Sequence, residues 1–88
     1  MNDSQTIVLR FGDTALLSPA DRSRAVEEVC AHTARGERVV AVVAPRIGSF
    51  DALLGDARGA TEDPDPRALA SLLATAAQRS AAILSLAL

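Results

Sequence analysis

A chain of 88 residues is long enough for one small domain, and we expect residues 1–88 to form a single unit. Hydrophobic residues make up 49% and charged residues 23%, which excludes the intrinsically disordered class. The net charge of −2, with no basic stripe and only two aromatic side chains, argues against nucleic acid as a partner.

The first two elements are predicted to be a strand and a helix. A β-rich run predicts a strand over residues 6–11, and Ser18 followed by a proline predicts the start of a helix. Asp21 lies at the third helical position, where its carboxylate suits a helix N-terminus. Gly36 is a typical stop signal, so we expect this helix over residues 19–35.

The apolar stripe of this helix contains the single cysteine of the chain. Val26, Val29 and Cys30 recur at helical spacing, so Cys30 is expected to be a small buried hydrophobic side chain and not a reactive thiol. His32 is expected to point elsewhere and to be solvated at the surface. With one cysteine and one histidine, the sequence predicts no internal disulfide and no metal site.

The second strand is predicted to be fully buried. Residues 39–44 read Val-Val-Ala-Val-Val-Ala, and such continuous apolar runs are typical of parallel strands that are covered on both faces. Pro45 ends the run. Strand, helix and strand form a βαβ unit, whose crossover is expected to be right-handed.

Two more helices are predicted after the second strand. Apolar residues around Phe50 predict a short helix over residues 48–57, and the breaker-rich residues 58–66 predict a loop. Asp65 is expected to cap a last helix that starts at a proline and runs to residue 87. The apolar stripe of that helix follows the spacing i, i+3, i+4, i+7. It consists of Leu69, Leu72, Leu73, Ala76, Ser80, Ile83, Leu84 and Ala87.

This order of elements predicts an α/β fold, namely a small and incomplete three-layer unit of βαβ plus helices around a short parallel sheet. Two strands do not close a sheet, because parallel strands need cover on both faces and neighbours at their edges. We therefore expect a homo-oligomer or a partner protein that completes the sheet.

The last helix is the strongest candidate for an interface. Its apolar side chains occupy much of the helix circumference, which is typical of a helix that is buried all round. The alternative is simple packing on the chain's own sheet. The candidate interface residues are Leu73, Ile83, Leu84, Leu86 and Leu88.

The sequence predicts a cytoplasmic protein without a membrane partner. The polar N-terminus lacks the basic and apolar regions of a signal peptide. No apolar run reaches the roughly 18–20 residues of a membrane helix, because the run over residues 80–88 is too short.

Residues 7–15, 51–54 and 72–88, in this order along the chain, resemble the start of the aspartate kinases, which belong to the amino-acid kinase family. Residues 7–15 (IVLRFGDTA) resemble the family's first strand, which ends in Lys, then Phe or Tyr, then Gly-Gly-Thr-Ser. Residues 51–54 (DALL) resemble an Asp-x-Leu-Leu motif, and residues 72–88 resemble a helix that reads Leu-Leu-Ser-Thr-Gly-Glu-Arg-Ile-Ser. The resemblance implies the start of the amino-acid kinase fold, truncated before its nucleotide-binding half.

The family's functional positions are altered in this sequence. Arg10 replaces the Lys near the transferred phosphoryl group, and Asp13 replaces the second Gly, which lets backbone N–H groups approach phosphate. Thr14 keeps the family Thr, whereas Ala15 replaces the Ser. Ala77 stands where the family has the Glu that holds the substrate amine. The resemblance therefore implies no catalytic residue here, and the chain is not expected to be an enzyme on its own.

What remains of the family's site is the turn that contains Arg10, Gly12 and Thr14. We interpret it as a relict ligand-binding turn for a small amino acid or an anion, because ligands of open α/β sheets bind at strand ends. The alternative is an ordinary strand-to-helix turn. No cofactor is expected.

The resemblance and the departures together favour a non-catalytic binding, scaffold or regulatory module that acts through self-association or a partner protein. A second hypothesis is the N-terminal half of a split amino-acid kinase, completed by a separate nucleotide-binding polypeptide. A third hypothesis is a sensor that binds an amino acid or an anion at the Gly12 turn. The sequence is also compatible with the product of a decaying gene.

Overall fold

The computed structural model describes residues 5–88, so the polar residues 1–4, on which the expectation of no signal peptide partly rests, lie outside it. The fold is mixed α/β, with a two-stranded parallel sheet and three helices. The elements are β1 (Thr6–Phe11), α1 (Pro19–Ala34), β2 (Arg38–Val43), α2 (Ser49–Ala60) and α3 (Pro66–Ala87).

Helix α1 begins with a complete capping box, as the sequence predicts. The Ser18 hydroxyl accepts a hydrogen bond from the Asp21 backbone N–H at 3.1 Å, and Asp21 Oδ2 accepts from the Ser18 N–H at 3.2 Å. These two bonds satisfy N–H groups that have no partner inside the helix. The helix ends one residue before the predicted end, and Gly36 follows with a φ of 81°. This left-handed conformation suits glycine and stops the helix.

The buried stripe of α1 differs from the predicted one at two positions. Ala25 and Val29 are buried and His32 is half-buried, because these residues are four and seven positions apart and share one face. Cys30 is exposed, so the prediction of a buried cysteine is wrong. The prediction of a solvated His32 is also wrong, since its ring lies 3.3 Å from a Glu37 carboxylate oxygen.

The two strands pair in parallel with Thr6 opposite Arg38 and Phe11 opposite Val43. Side chains alternate between faces, and the face that carries Phe11 is covered by α1 and α3. The opposite face carries Val8, Val40 and Val42. These side chains are exposed, because no other part of residues 5–88 covers them. The prediction that β2 is buried on both faces is therefore wrong when the described residues are taken alone. The apolar run predicts the strand, but the second cover does not come from the described residues.

Helices α2 and α3 pack against each other. Helix α2 runs three residues beyond its predicted end, through Gly59, and shortens the following loop. Helix α3 begins at the predicted residue, where the Asp65 carboxylate accepts a hydrogen bond from the Ala68 N–H at 3.0 Å. Within the chain, only Ala76, Ser80 and Leu84 of α3 are buried, so burial of the helix all round would require a partner and stays a prediction.

The core is small and lies between the covered face of the sheet and the two helices. It is formed by Phe11, Ala25, Val29 and Leu84. Half-buried Leu9, Leu16, Val39 and Val43 surround it, together with Ala15. A core with one aromatic and three aliphatic side chains gives only modest hydrophobic stabilisation.

The molecule is extended. Its radius of gyration is 16.4 Å, whereas a compact chain of this length has about 12 Å. Its accessible surface is 6319 Å², against about 4,900 Å² for a folded monomer of this mass. The chain therefore exposes roughly 30% more surface than a self-contained domain.

Helix α3 also meets the length and composition of a membrane span, in contrast to the expectation from the sequence. The apolar character comes from alanines and leucines spread over 22 residues instead of one continuous apolar run. This is weak evidence, because core helices of soluble proteins pass the same criterion. The location of the protein and the lack of a membrane partner stay predictions.

Candidate functional site

The segments that follow the two strands are tied together at one edge of the sheet. The Ala44 N–H donates to the Phe11 carbonyl, and the Ile47 N–H donates to the Asp13 carbonyl, both at 2.9 Å. The second bond continues the strand pairing into the turns. In an open parallel sheet, this carboxyl edge is where ligands usually bind.

A small cavity of about 50 Å³ lies at this edge. Its lining includes Arg22 from α1, Arg46 from the segment after β2, and Asp13. The Nη1 of Arg22 donates to the Leu16 carbonyl at 3.3 Å, which fixes one cation at the wall. Ser80 of α3, with 5% of its surface exposed, also lines the cavity. The volume suits waters or one small group.

The three residues predicted as a relict ligand site are not brought together. Gly12 lines the strand-end cavity, whereas Arg10 is exposed on the opposite face of the sheet, beside Val42. Thr14 is exposed and lines a separate surface depression that it shares with Asp21. The positive charges at the cavity come instead from Arg22 and Arg46.

Arg22 and Arg46 are not predicted as site residues, because they come from two different elements. The charged residues of α1 suggest a solvated face that includes Arg22, but this side chain is half-buried. Its position three residues before Ala25 is the signal that could have placed it on the buried side. Nothing in the sequence alone brings Arg46 beside it.

Asp13 opposes anion binding in the same cavity. A carboxylate near a phosphate costs about 1 kcal/mol or more per charge pair at close range. Ala77, at which the resemblance to the aspartate kinases would expect a Glu, is exposed on α3 and carries no polar group. The strand-end edge therefore has two cationic residues beside Asp13, which opposes an anion.

Two carboxylates near α1 have altered acidity. Hydrogen bonds from the Ser18 hydroxyl and then from Arg24 lower the pKa of Asp21 below its usual value. At the other end of the helix, the hydrogen bond from Arg35 lowers the pKa of Glu37, and His32 adds to the effect. Both carboxylates are therefore held in the charged form by their neighbours.

The His32 cluster is structural in character. Arg35 Nε donates to Glu37 Oε1 at 2.8 Å, and Arg35 Nη2 lies 2.9 Å from His32 Nδ1. Nδ1 either accepts from Arg35 or donates to Glu37, because one ring nitrogen does not do both in one tautomer. The cluster joins the end of α1 to the start of β2. Among residues 5–88 there is no group of three or more His, Cys, Asp or Glu side chains that could hold a metal ion.

The uncovered face of the sheet carries a group of neighbouring apolar side chains. Val8, Val40 and Val42 are 58%, 49% and 51% exposed, and they lie side by side across the two strands. Arg10 and Arg38 flank them on the same face. Monomeric proteins rarely leave such groups of neighbouring aliphatic side chains in water, and patches of this kind often mark interaction sites.

The candidate interface residues of α3 divide into two sets. Leu84 is 3% exposed and belongs to the chain's own core, and Leu73 and Ile83 are half-buried. Leu86 and Leu88 are exposed at the end of the helix. Packing on the chain's own sheet thus accounts for Leu84, while the interface role of the two exposed leucines stays a prediction.

No known protein-family model matches this chain, and a comparison with curated proteins finds no relative. The resemblance to the aspartate kinases is therefore carried only by the three segments of the sequence and stays a prediction.

Proposed function

We propose that this chain is a non-catalytic binding or scaffold module, built on an aspartate-kinase-like segment, which acts by associating with itself or with a partner protein. One observation carries the proposal: the uncovered face formed by Val8, Val40 and Val42. Covering it would remove apolar surface from water, which is the main driving force of most protein association.

The strand-end edge supports a non-catalytic role. Phosphoryl transfer depends on positioning and on stabilisation of charge around the phosphates. Arg10 points away from the cavity that Gly12 lines, and Asp13 places a negative charge there. An edge of this kind can keep a structural function while it lacks the geometry for transfer.

The experiment measures mass in solution by light scattering after size exclusion, for the wild type and for Val42→Glu. Val42 is half exposed, so a glutamate can reach water in a monomer without disturbing the core. In an interface, the same carboxylate would be desolvated, and association is expected to be lost.

Ala31→Glu is the matched control, because it adds the same charge at an exposed position of α1. It is expected to leave the mass unchanged. A wild type that stays monomeric at all concentrations, and that binds no purified candidate partner, would remove the basis of the proposal.

The alternative function is the N-terminal half of a split amino-acid kinase. Arg22 and Arg46 favour it, since two cations at the carboxyl edge of a parallel sheet suit an anionic ligand. The test is consumption of ATP in the presence of aspartate, with this chain and a candidate nucleotide-binding polypeptide purified together. If Arg10→Ala and Arg46→Ala both leave the rate unchanged, this chain takes no part in the chemistry.

A further inference from the structure

The free edges of β1 and β2 each carry one arginine, at different positions along the strand. Strand β1 carries Arg10 near its end, and a charged side chain on an edge strand discourages pairing with another chain. Strand β2 reads RVVAVV, and after Arg38 it has no charge, no proline and no bulge. The apolar part of β2 after Arg38 is the kind of edge that recruits another strand.

Apolar surface reaches the β2 edge on both faces of the sheet. Val40 and Val42 are exposed on the uncovered face, and Ala41 is exposed on the face that α1 and α3 cover. The helices also contact β2, and Val39 and Val43 are half-buried on that covered face. Ala41 is therefore the part of β2 that the cover leaves exposed, on the side where the sheet has no further strand among residues 5–88.

We propose that the partner is a second copy of this chain, whose β2 pairs antiparallel with β2 around Ala41 to give a four-stranded sheet. This inference rests on the proposed function and names a second copy as the partner, at the β2 edge that adjoins the uncovered face. A two-fold axis at the strand centre makes the contact closed and self-complementary.

The backbone groups of β2 fit such a pairing. The N–H groups of Arg38 and Ala44 donate to β1, so the even-numbered residues face β1. Val39, Ala41 and Val43 therefore point their N–H and C=O groups outward. Around Ala41, Val39 meets Val43 of the second copy, and Ala41 meets its own equivalent. Each of the three residues becomes part of a hydrogen-bonded pair, and Pro45, which has no N–H, ends the ladder.

The side chains fit as well. Val40 lies opposite Val42 of the second copy, and pairs of β-branched residues stabilise antiparallel strands. Arg38 lies opposite Ala44, so the two Arg38 side chains stand about 20 Å apart. At physiological ionic strength the Debye length is about 8 Å, and their repulsion is screened. A parallel pairing in register would place the two arginines side by side.

The surface of the chain is large enough for this contact. It exposes 6319 Å², against about 4,900 Å² for a compact monomer of its mass. A standard interface removes about 800 Å² from each partner. The surface that pairing at β2 would bury is thus smaller than the excess of accessible surface over a compact monomer.

The test is a cysteine placed on the two-fold axis, in a Cys30→Ala background that removes the exposed native thiol. In a hydrogen-bonded antiparallel pair, opposite Cα atoms are about 5.5 Å apart, which is within disulfide range. Ala41→Cys is therefore expected to form a covalent dimer under mild oxidation. Val8→Cys, the matched centre of the β1 edge, is expected to stay largely monomeric on the same non-reducing gel.

A second variant tests the pairing without a crosslink. Ala41→Pro removes an outward N–H that the monomer does not use, and its solution mass is expected to fall by half while the circular dichroism spectrum is kept. Crosslinking at Val8→Cys, or an unchanged dimer mass for a folded Ala41→Pro, overturns the β2 pairing but leaves a self-associating module. If the chain is monomeric and binds a different protein, the proposal that the partner is a second copy is overturned, while the proposed function stands. If the chain is monomeric and binds no partner, both proposals are overturned.

Discussion

For Gly36 and Gly55, backbone conformation matters more than the free space around the position of a Cβ atom. A Cβ at either position would meet no atom within 4 Å. Gly36 has a φ of 81°, which side chains rarely adopt, whereas Gly55 lies inside α2. The two glycines therefore have opposite effects on the free energy of folding.

We expect Gly36→Ala to destabilise the protein by about 1–2 kcal/mol, because an L-residue is strained in the left-handed region. Gly55→Ala is expected to stabilise it by about 0.5–1 kcal/mol, because alanine loses less backbone entropy in a helix. Urea unfolding followed by circular dichroism measures both changes. Equal changes of the same sign would contradict the assignment of the strain to Gly36.

The stability of the folded protein is expected to depend on pH through Asp21, at the start of α1. Its pKa in the folded protein is lowered, first by the Ser18 hydroxyl and then by Arg24. A carboxylate with a depressed folded pKa stabilises the fold above its unfolded pKa, and this contribution is lost as the pH falls through the folded pKa. The loss is thus expected below the ordinary value of 3.8.

The variant Asp21→Asn isolates this group, because asparagine has the same shape and stays neutral. The difference in urea midpoint between wild type and variant should be constant above about pH 5, where the carboxylate is charged in both states. It should shrink as the pH falls below 3.8. A difference that does not change with pH would mean that the charge of Asp21 does not contribute.

Helix α3 contains two leucines that differ in burial. Leu84 is 3% exposed and packs with Phe11 and Val29, whereas Leu86 is 87% exposed. We expect Leu84→Ala to cost about 2–4 kcal/mol, through lost burial and the cavity left behind. Leu86→Ala should change the unfolding free energy of the monomer by less than about 0.5 kcal/mol. Thermal unfolding of dilute samples compares the two, and similar effects would place the core elsewhere.

Local signals predict the elements well in this chain. The capping residues Ser18 and Asp65 fix the starts of α1 and α3 to the residue, because caps are made within one turn of chain. The end of α2 is less well predicted, since an isolated Gly59 is tolerated within a helix. The buried face of α1 is also predicted poorly at Cys30 and His32. Their burial is predicted from residue type, whereas their positions on the helix decide it.

The site is harder to predict than the elements. The turn at Gly12 follows from sequence, but the cations of the cavity come from Arg22 and Arg46, which only the packing of α1 and the segment after β2 brings together. The valine run of β2 correctly predicts a strand of a parallel sheet. The run does not predict whether the second face of the sheet is covered by the same chain or by another one, because an apolar pattern indicates burial but not which residues provide it.

At the scale of the whole molecule, the extended shape and the small core imply that stability depends on association. A radius of gyration of 16.4 Å and a core of four side chains leave the monomer little to offset its conformational entropy. Any second chain that binds only the folded form adds to stability by mass action. Folding and association are therefore expected to be coupled.

This coupling predicts that the unfolding temperature of the wild type rises with protein concentration. For a dimer, each tenfold increase in concentration adds about 1.4 kcal/mol per dimer, which corresponds to a few degrees for a chain of this size. Ala41→Pro, which is expected to be monomeric, should unfold at a temperature that does not depend on concentration. Differential scanning calorimetry over a hundredfold range of concentration would decide this. A wild type whose unfolding temperature stays constant over that range would show that the two-stranded sheet is stable without a partner copy.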